Sequence, residues 1–116
     1  NNCYYIENVT FAGERWNLCQ FEFYKDTLAL VGFGLLSDNE DVVDLYNRNL
    51  ENVKTKYSEI EGKMTSDNQN RKLCYFDDGI VVLSIGYNIE EDNYASLIYQ
   101  SKKLINQIDE DAYNDI

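Results

Sequence analysis

Carboxylates are the abundant reactive groups of this chain. It carries 21 Asp and Glu against 10 Lys and Arg, three Cys and no His. Without histidine the chain can build no Ser-His or Cys-His nucleophile pair and offers no imidazole to a metal. Cys3, Cys19 and Cys74 show no CxxC spacing, so no structural zinc site is expected, and an odd number permits at most one intramolecular disulfide. Neither Cys19 nor Cys74 stands beside a cationic cluster that would favour a thiolate. Glycosidase-type chemistry needs two carboxyl groups about 5–10 Å apart across a cleft. Asp77 and Asp78 are instead neighbours in a tight turn, with diverging side chains. Asp38, Glu40, Asp41 and Asp44 lack the spacing and the glycine of an EF-hand loop, and helix capping accounts for them. Glu90-Glu91-Asp92 reads as a solvated turn. No phosphate-binding GK[ST] or GxGxxG accompanies Gly32-Phe33-Gly34. The expectation is a protein without catalytic residues, metal or cofactor.

Charge narrows the partners. A net charge of −11 repels phosphate backbones and anionic membrane surfaces, so neither nucleic acid nor a lipid surface is an expected partner. No run approaches 18 apolar residues, and no membrane span is expected. Two readings of the acidity remain: a soluble domain held apart by self-repulsion, or a decoy that imitates a nucleic-acid backbone and blocks a basic groove. Asn8-Val9-Thr10 matches a glycosylation sequon, which matters only in a eukaryotic secretory route. A start at Asn1 without Met suggests a processed or trimmed product, with any signal peptide already removed.

The elements that must position these groups follow from periodicity. With 44% hydrophobic and 27% charged residues over 116 positions, one globular domain is expected. Residues 3–11 read as a strand closed by an Ala12-Gly13-Glu14 turn. Residues 15–24 alternate, with Cys19, Phe21 and Phe23 on one face and Gln20, Glu22 and Tyr24 on the other. Residues 27–36 form a more apolar strand after a Lys25-Asp26 turn. Val43, Tyr46, Leu50, Val53, Tyr57 and Ile60 recur at spacings of three and four. They predict an amphipathic helix over residues 39–60, entered through Ser37 or Asp38 and stopped by Gly62. Residues 63–70 read as a polar loop. Residues 71–76 and 80–87 flank Asp77-Asp78-Gly79, where Asp-Gly favours a type I′ hairpin. The final segment fits one continuous helix, or a strand over 94–100 followed by a helix over 102–112 capped by Ser101; its Tyr and Ile content favours the second. Acidic residues disfavour the end of that helix, so the tail from about 110 to 116 is expected to fray. The order βββα-βββα predicts an α+β two-layer domain with an antiparallel sheet and both helices on one face.

This chain resembles a family through Val9-Thr10-Phe11-Ala12-Gly13, the cysteine of the following strand and Phe21-Glu22-Phe23-Tyr24 before a turn. The helix bearing Leu45-Tyr46-Asn47, the Asp78-Gly79 hairpin and the Tyr94-Ala95-Ser96-Leu97-Ile98-Tyr99 strand belong to the same pattern. The order is similar to that of small exported proteins of unknown function in Bacteroides-like gut bacteria, whose members carry a further N-terminal helix. The resemblance implies a bacterial, exported setting, periplasmic or at the cell surface. It favours the strand reading of residues 94–100 and implies no activity.

Ten tyrosines and one tryptophan point to recognition instead. If helices cover the Cys19-Phe21-Phe23 face, Trp16, Glu22 and Tyr24 share the open one and form the expected binding patch. The first expectation is therefore a non-enzymatic binding or protein-interaction domain that takes an unknown protein or small ligand on its open sheet face or its edge strand. The second is an acidic inhibitor or nucleic-acid mimic, which needs Glu51, Glu59, Glu61, Asp77, Asp78 and the 90–92 turn in one contiguous stripe. The third is a small hydrolase using paired carboxylates.

Overall fold

The computed structural model describes residues 2–114. Three strands come first: β1 (Asn2–Phe11), β2 (Glu14–Tyr24) and β3 (Thr27–Leu36). Two-residue turns join them. Ala12 and Gly13 take φ of 56° and 76°, and Lys25 and Asp26 take 49° and 63°. Positive φ at both central residues matches the right-handed twist of the flanking strands, which is why these short loops fold back as hairpins. Helix α1 (Asn39–Lys56) follows, then β4 (Lys63–Asn68), β5 (Arg71–Asp77), β6 (Val81–Asn88), β7 (Tyr94–Ser101) and α2 (Lys102–Asn114).

All seven strands form one antiparallel sheet in the order β1-β2-β3-β7-β6-β5-β4. The first meander meets the second through β3 and β7, with Phe33 opposite Leu97. The α+β class and the antiparallel sheet agree with the sequence; the βββα-βββα order does not. Residues 63–68 are a strand rather than a loop, so the second half reads ββββα. The segment KMTSDN has no apolar face because none of its residues is buried. It is extended because β5 pairs with it, from Lys63 opposite Tyr75 to Asn68 opposite Arg71.

The core lies where α1 crosses β6 and β7. Val42, Leu45, Tyr46 and Val53 are buried against Leu83, Ile85, Ala95 and Leu97. The predicted stripe is rotated: Val43 and Leu50 flank the contact instead of centring it. Asp38 caps the helix by accepting from the Asp41 amide at 2.9 Å. The helix ends at Lys56, short of Gly62, with the Tyr57 amide donating to the Val53 carbonyl at 2.8 Å. Gly62 has another role. A Cβ there would lie 2.6 Å from the Phe76 ring and 2.9 Å from the Cys74 sulfur, so only glycine lets the chain enter β4 this close to the core.

At the Asp78-Gly79 connection only Gly79, at φ 91°, has a positive φ. The turn is therefore not type I′. Asp77 accepts from the Gly79 amide and Asp78 from the amides of Ile80 and Val81, so two carboxylates hold the loop. Ser101 caps α2, its hydroxyl accepting from the Leu104 amide at 3.3 Å. α2 runs to Asn114, and residues 115 and 116 of the tail expected to fray lie outside the described residues.

Candidate functional site

Trp16 and Tyr24 are not exposed as the predicted patch requires. Trp16 is 2% exposed and Tyr24 8%, so both belong to the interior. Trp16 lies 5.7 Å from the Phe33 ring, and its indole N–H donates to the Phe11 carbonyl at 3.0 Å. Period-two alternation puts Trp16 opposite in facing to Cys19, yet both are buried. The alternation is broken beside Asn8, which stands at φ 56° in the paired strand, and Asn17, whose side chain accepts from the Leu36 amide. The β2–β3 register also shifts between Glu22 and Phe23, but the extra residue is Ala29 of β3, and the β1–β2 ladder stays regular there. The break at Asn8 and Asn17 turns Trp16 inward, whereas Tyr24 is buried where α2 meets the end of β2.

Tyr24 donates its hydroxyl to Asp111 of α2, and Lys25 forms an ion pair with the same carboxylate at 2.9 Å. The Tyr24 hydroxyl, then Lys25 and Gln107, hold the Asp111 carboxyl down at about 2. Of the three predicted residues, Glu22 alone keeps a surface position. It is half-buried and accepts from Gln20 at 2.6 Å. The structure thus separates Trp16 from Glu22 and Tyr24, which line one hollow of about 210 Å³ together with Cys3 and Ile108.

The acidic groups are dispersed too. Asp77 and Asp78 sit before β6 and Glu90 to Asp92 after it, so about 24 Å of strand separates them. The contiguous stripe that a nucleic-acid mimic needs is interrupted there. Glu61 and Asp77 do share a hollow of about 330 Å³ with Lys63, Tyr75 and Lys102. Asp77, however, accepts from Lys102 at 2.6 Å, and that bond, with the Gly79 amide, lowers its pKa. A general acid needs a raised one. Burial raises the thiols of Cys19 and Cys74, which keeps them protonated and unreactive. All three cysteines are free, Cys3 exposed and the other two buried. Among the described residues no cluster of three or more His, Cys, Asp or Glu could hold a metal ion. Among the described residues no helix is long and apolar enough to cross a membrane.

What the sheet leaves open is β1. Tyr4, Tyr5 and Ile6 are 54%, 58% and 50% exposed on a ten-residue edge strand whose outer side pairs with nothing. β2 carries it along its whole length, from Asn2 opposite Phe23 to Phe11 opposite Glu14. Phe11 stacks on Phe33 at 4.2 Å, which pins one end of the strand to the core. Tyr4 meets Phe23 edge-on at 5.8 Å, which steadies the other. Two hollows adjoin β1. One, of about 470 Å³, runs beside Asn8, Val9 and Trp16. The other, of about 210 Å³, lies among Cys3, Phe23, Ala29 and Ile108. The Tyr, Ile, Val and Phe content of residues 3–11 marked a strand in the sequence, but nothing there marked it as an edge. Compared with known protein families, with curated proteins and with solved structures, the chain matches none.

Proposed function

We propose that this protein is a non-enzymatic protein-interaction domain that binds its partner by strand addition at β1. An extended segment laid along a sheet edge gains main-chain hydrogen bonds, and adjoining pockets select its side chains. The observation that carries this reading is β1 itself: ten residues, four large exposed apolar side chains (Tyr4, Tyr5, Ile6 and Phe11) and one charge, Glu7. Natural edge strands are ordinarily blunted by charge, proline or shortness. β1 has none of these except Glu7, and the two hollows flank it.

The placement of both helices belongs to the same proposal: Ile108 of α2 lies by Glu22, Tyr24 and Ala29, and Asp111 accepts from the Tyr24 hydroxyl, at the end of the sheet that β1 borders. The family resemblance adds a bacterial, exported setting.

The test is amide mapping by NMR. Peptides selected from a random library by the immobilised protein should shift the amides of residues 2–8, and Ile6→Lys should abolish the response while leaving the fold intact. If the β1 amides keep their shifts and exchange rates with every peptide and at every protein concentration, the proposal fails.

A further inference from the structure

The strand that best matches β1 is β1. Its regular stretch runs from Asn2 to Asn8, where φ of 56° interrupts it. The middle residue of that stretch is Tyr5. Resting on the strand-addition reading above, we propose that the partner is a second copy of this chain, with the two β1 strands antiparallel about a twofold axis at Tyr5. A twofold axis normal to the sheet keeps each face on its own side and requires a residue to oppose itself at the centre. Tyr5 then faces Tyr5 of the other copy, Tyr4 faces Ile6, Cys3 faces Glu7 and Asn2 faces Asn8.

Each pair is compatible. Tyr against Ile is a favourable aromatic–aliphatic cross-strand pair, made twice by symmetry. Asn against Asn can exchange amide hydrogen bonds. The single charge of β1, Glu7, opposes Cys3 and not its own counterpart, so the register avoids the like-charge contact that a centre at Glu7 would create. Electrostatics also selects this strand. The chain carries −11, and two copies can approach only where charge is sparse. The other edge, β4, carries Lys63 and Asp67 in six residues. Tyr4, Tyr5 and Ile6, each at least half exposed, stand at the centre of the paired stretch. Seven residues a side are fewer than the roughly 20–30 of a standard interface, so the dimer is a weak one. Joining the two sheets at β1 leaves β4 as the only edge at either end.

Sedimentation equilibrium of the full chain from about 1 to 500 μM decides the matter. A monomer–dimer equilibrium is expected, and it should tighten severalfold from 0.05 M to 1 M NaCl as self-repulsion is screened. Tyr5→Lys sets two ammonium groups against each other on the axis and should weaken dimerisation at least tenfold with unchanged melting. Cys3→Lys faces Glu7 of the other copy twice. It should tighten the dimer severalfold more than Thr10→Lys, which adds the same charge outside the paired stretch. A chain monomeric at 500 μM in 1 M NaCl overturns the proposal. So does a dimer indifferent to Tyr5→Lys, or equal effects of Cys3→Lys and Thr10→Lys. A monomer whose β1 amides still respond to an added peptide would overturn the self-pairing and leave strand addition standing. A monomer whose β1 amides respond to nothing would remove both.

Discussion

The two edges of the sheet solve one problem in opposite ways. Every edge strand presents unpaired backbone groups that can template pairing with another chain. β4 is six residues long, has Lys63 and Asp67, and carries an irregularity between Met64 and Ser66 that breaks its ladder with β5. It is short, charged and bent, which makes it a poor template. β1 is ten residues long, has one charge and exposes Tyr4, Tyr5 and Ile6. The anchoring of the two edges differs as well. β1 and β2 are fixed by aromatic packing on Phe33, from the buried Trp16 and from Phe11, which stays 38% exposed. β4 is approached through the smallest residue, Gly62, which lets the backbone lie against Phe76 and Cys74. One edge is built to be held open and the other to be left alone.

The largest test of this contrast removes the β1 anchor. Trp16→Ala should cost about 3–5 kcal/mol, the range for a buried aromatic truncated to alanine. Urea denaturation measures it, and a loss below about 0.5 kcal/mol would mean that Trp16 is a surface residue after all. Next comes the β4 anchor. Gly62→Ala should cost about 1–3 kcal/mol, because the buried Phe76 ring cannot yield to a Cβ at 2.6 Å. Exchange of the β4 and β5 amides should accelerate while β1 stays as it was. Third, Lys63→Val with Asp67→Thr would make β4 resemble β1. Stability should change by less than about 0.5 kcal/mol, since both positions are exposed. Light scattering should nevertheless show larger, open-ended assemblies, because a sheet with two adhesive edges does not close.

The smallest effect concerns the contact that ties α2 to the end of β2. The Asp111 carboxyl is held at about 2, below its ordinary 3.8. A lowered folded-state pKa contributes stability in full above the unfolded value and loses it as pH falls through the folded one. The difference between wild type and Asp111→Asn should thus be constant near neutral pH and shrink from about pH 4 to pH 2. Paired melting curves across that window check it. A difference that grows on acidification would reverse the assignment.

Much of the architecture was written along the chain. Alternation at Cys19 and Phe21, the three- and four-residue spacing through Tyr46 and Val53, and the cap at Asp38 are local signals, and they specified strands, helix and entry point. The strand-then-helix reading of the last segment also came from local signals, in Tyr94, Tyr99 and Ser101. The faces were decided elsewhere. Alternation assigns a residue only relative to its neighbour, so one irregular position reverses everything beyond it. The irregularity at Asn8 and Asn17 belongs to cross-strand pairing, and pairing partners are distant in sequence. That is why Trp16 looked outward from the sequence and points inward in the fold, while Tyr24 is buried by α2, which is as distant in sequence. β4 shows the same limit: with no buried residue it has no apolar pattern, and only the presence of β5 beside it makes it a strand. The role of β1 was settled at the same level, because being an edge is a property of the sheet's order and no single strand encodes it.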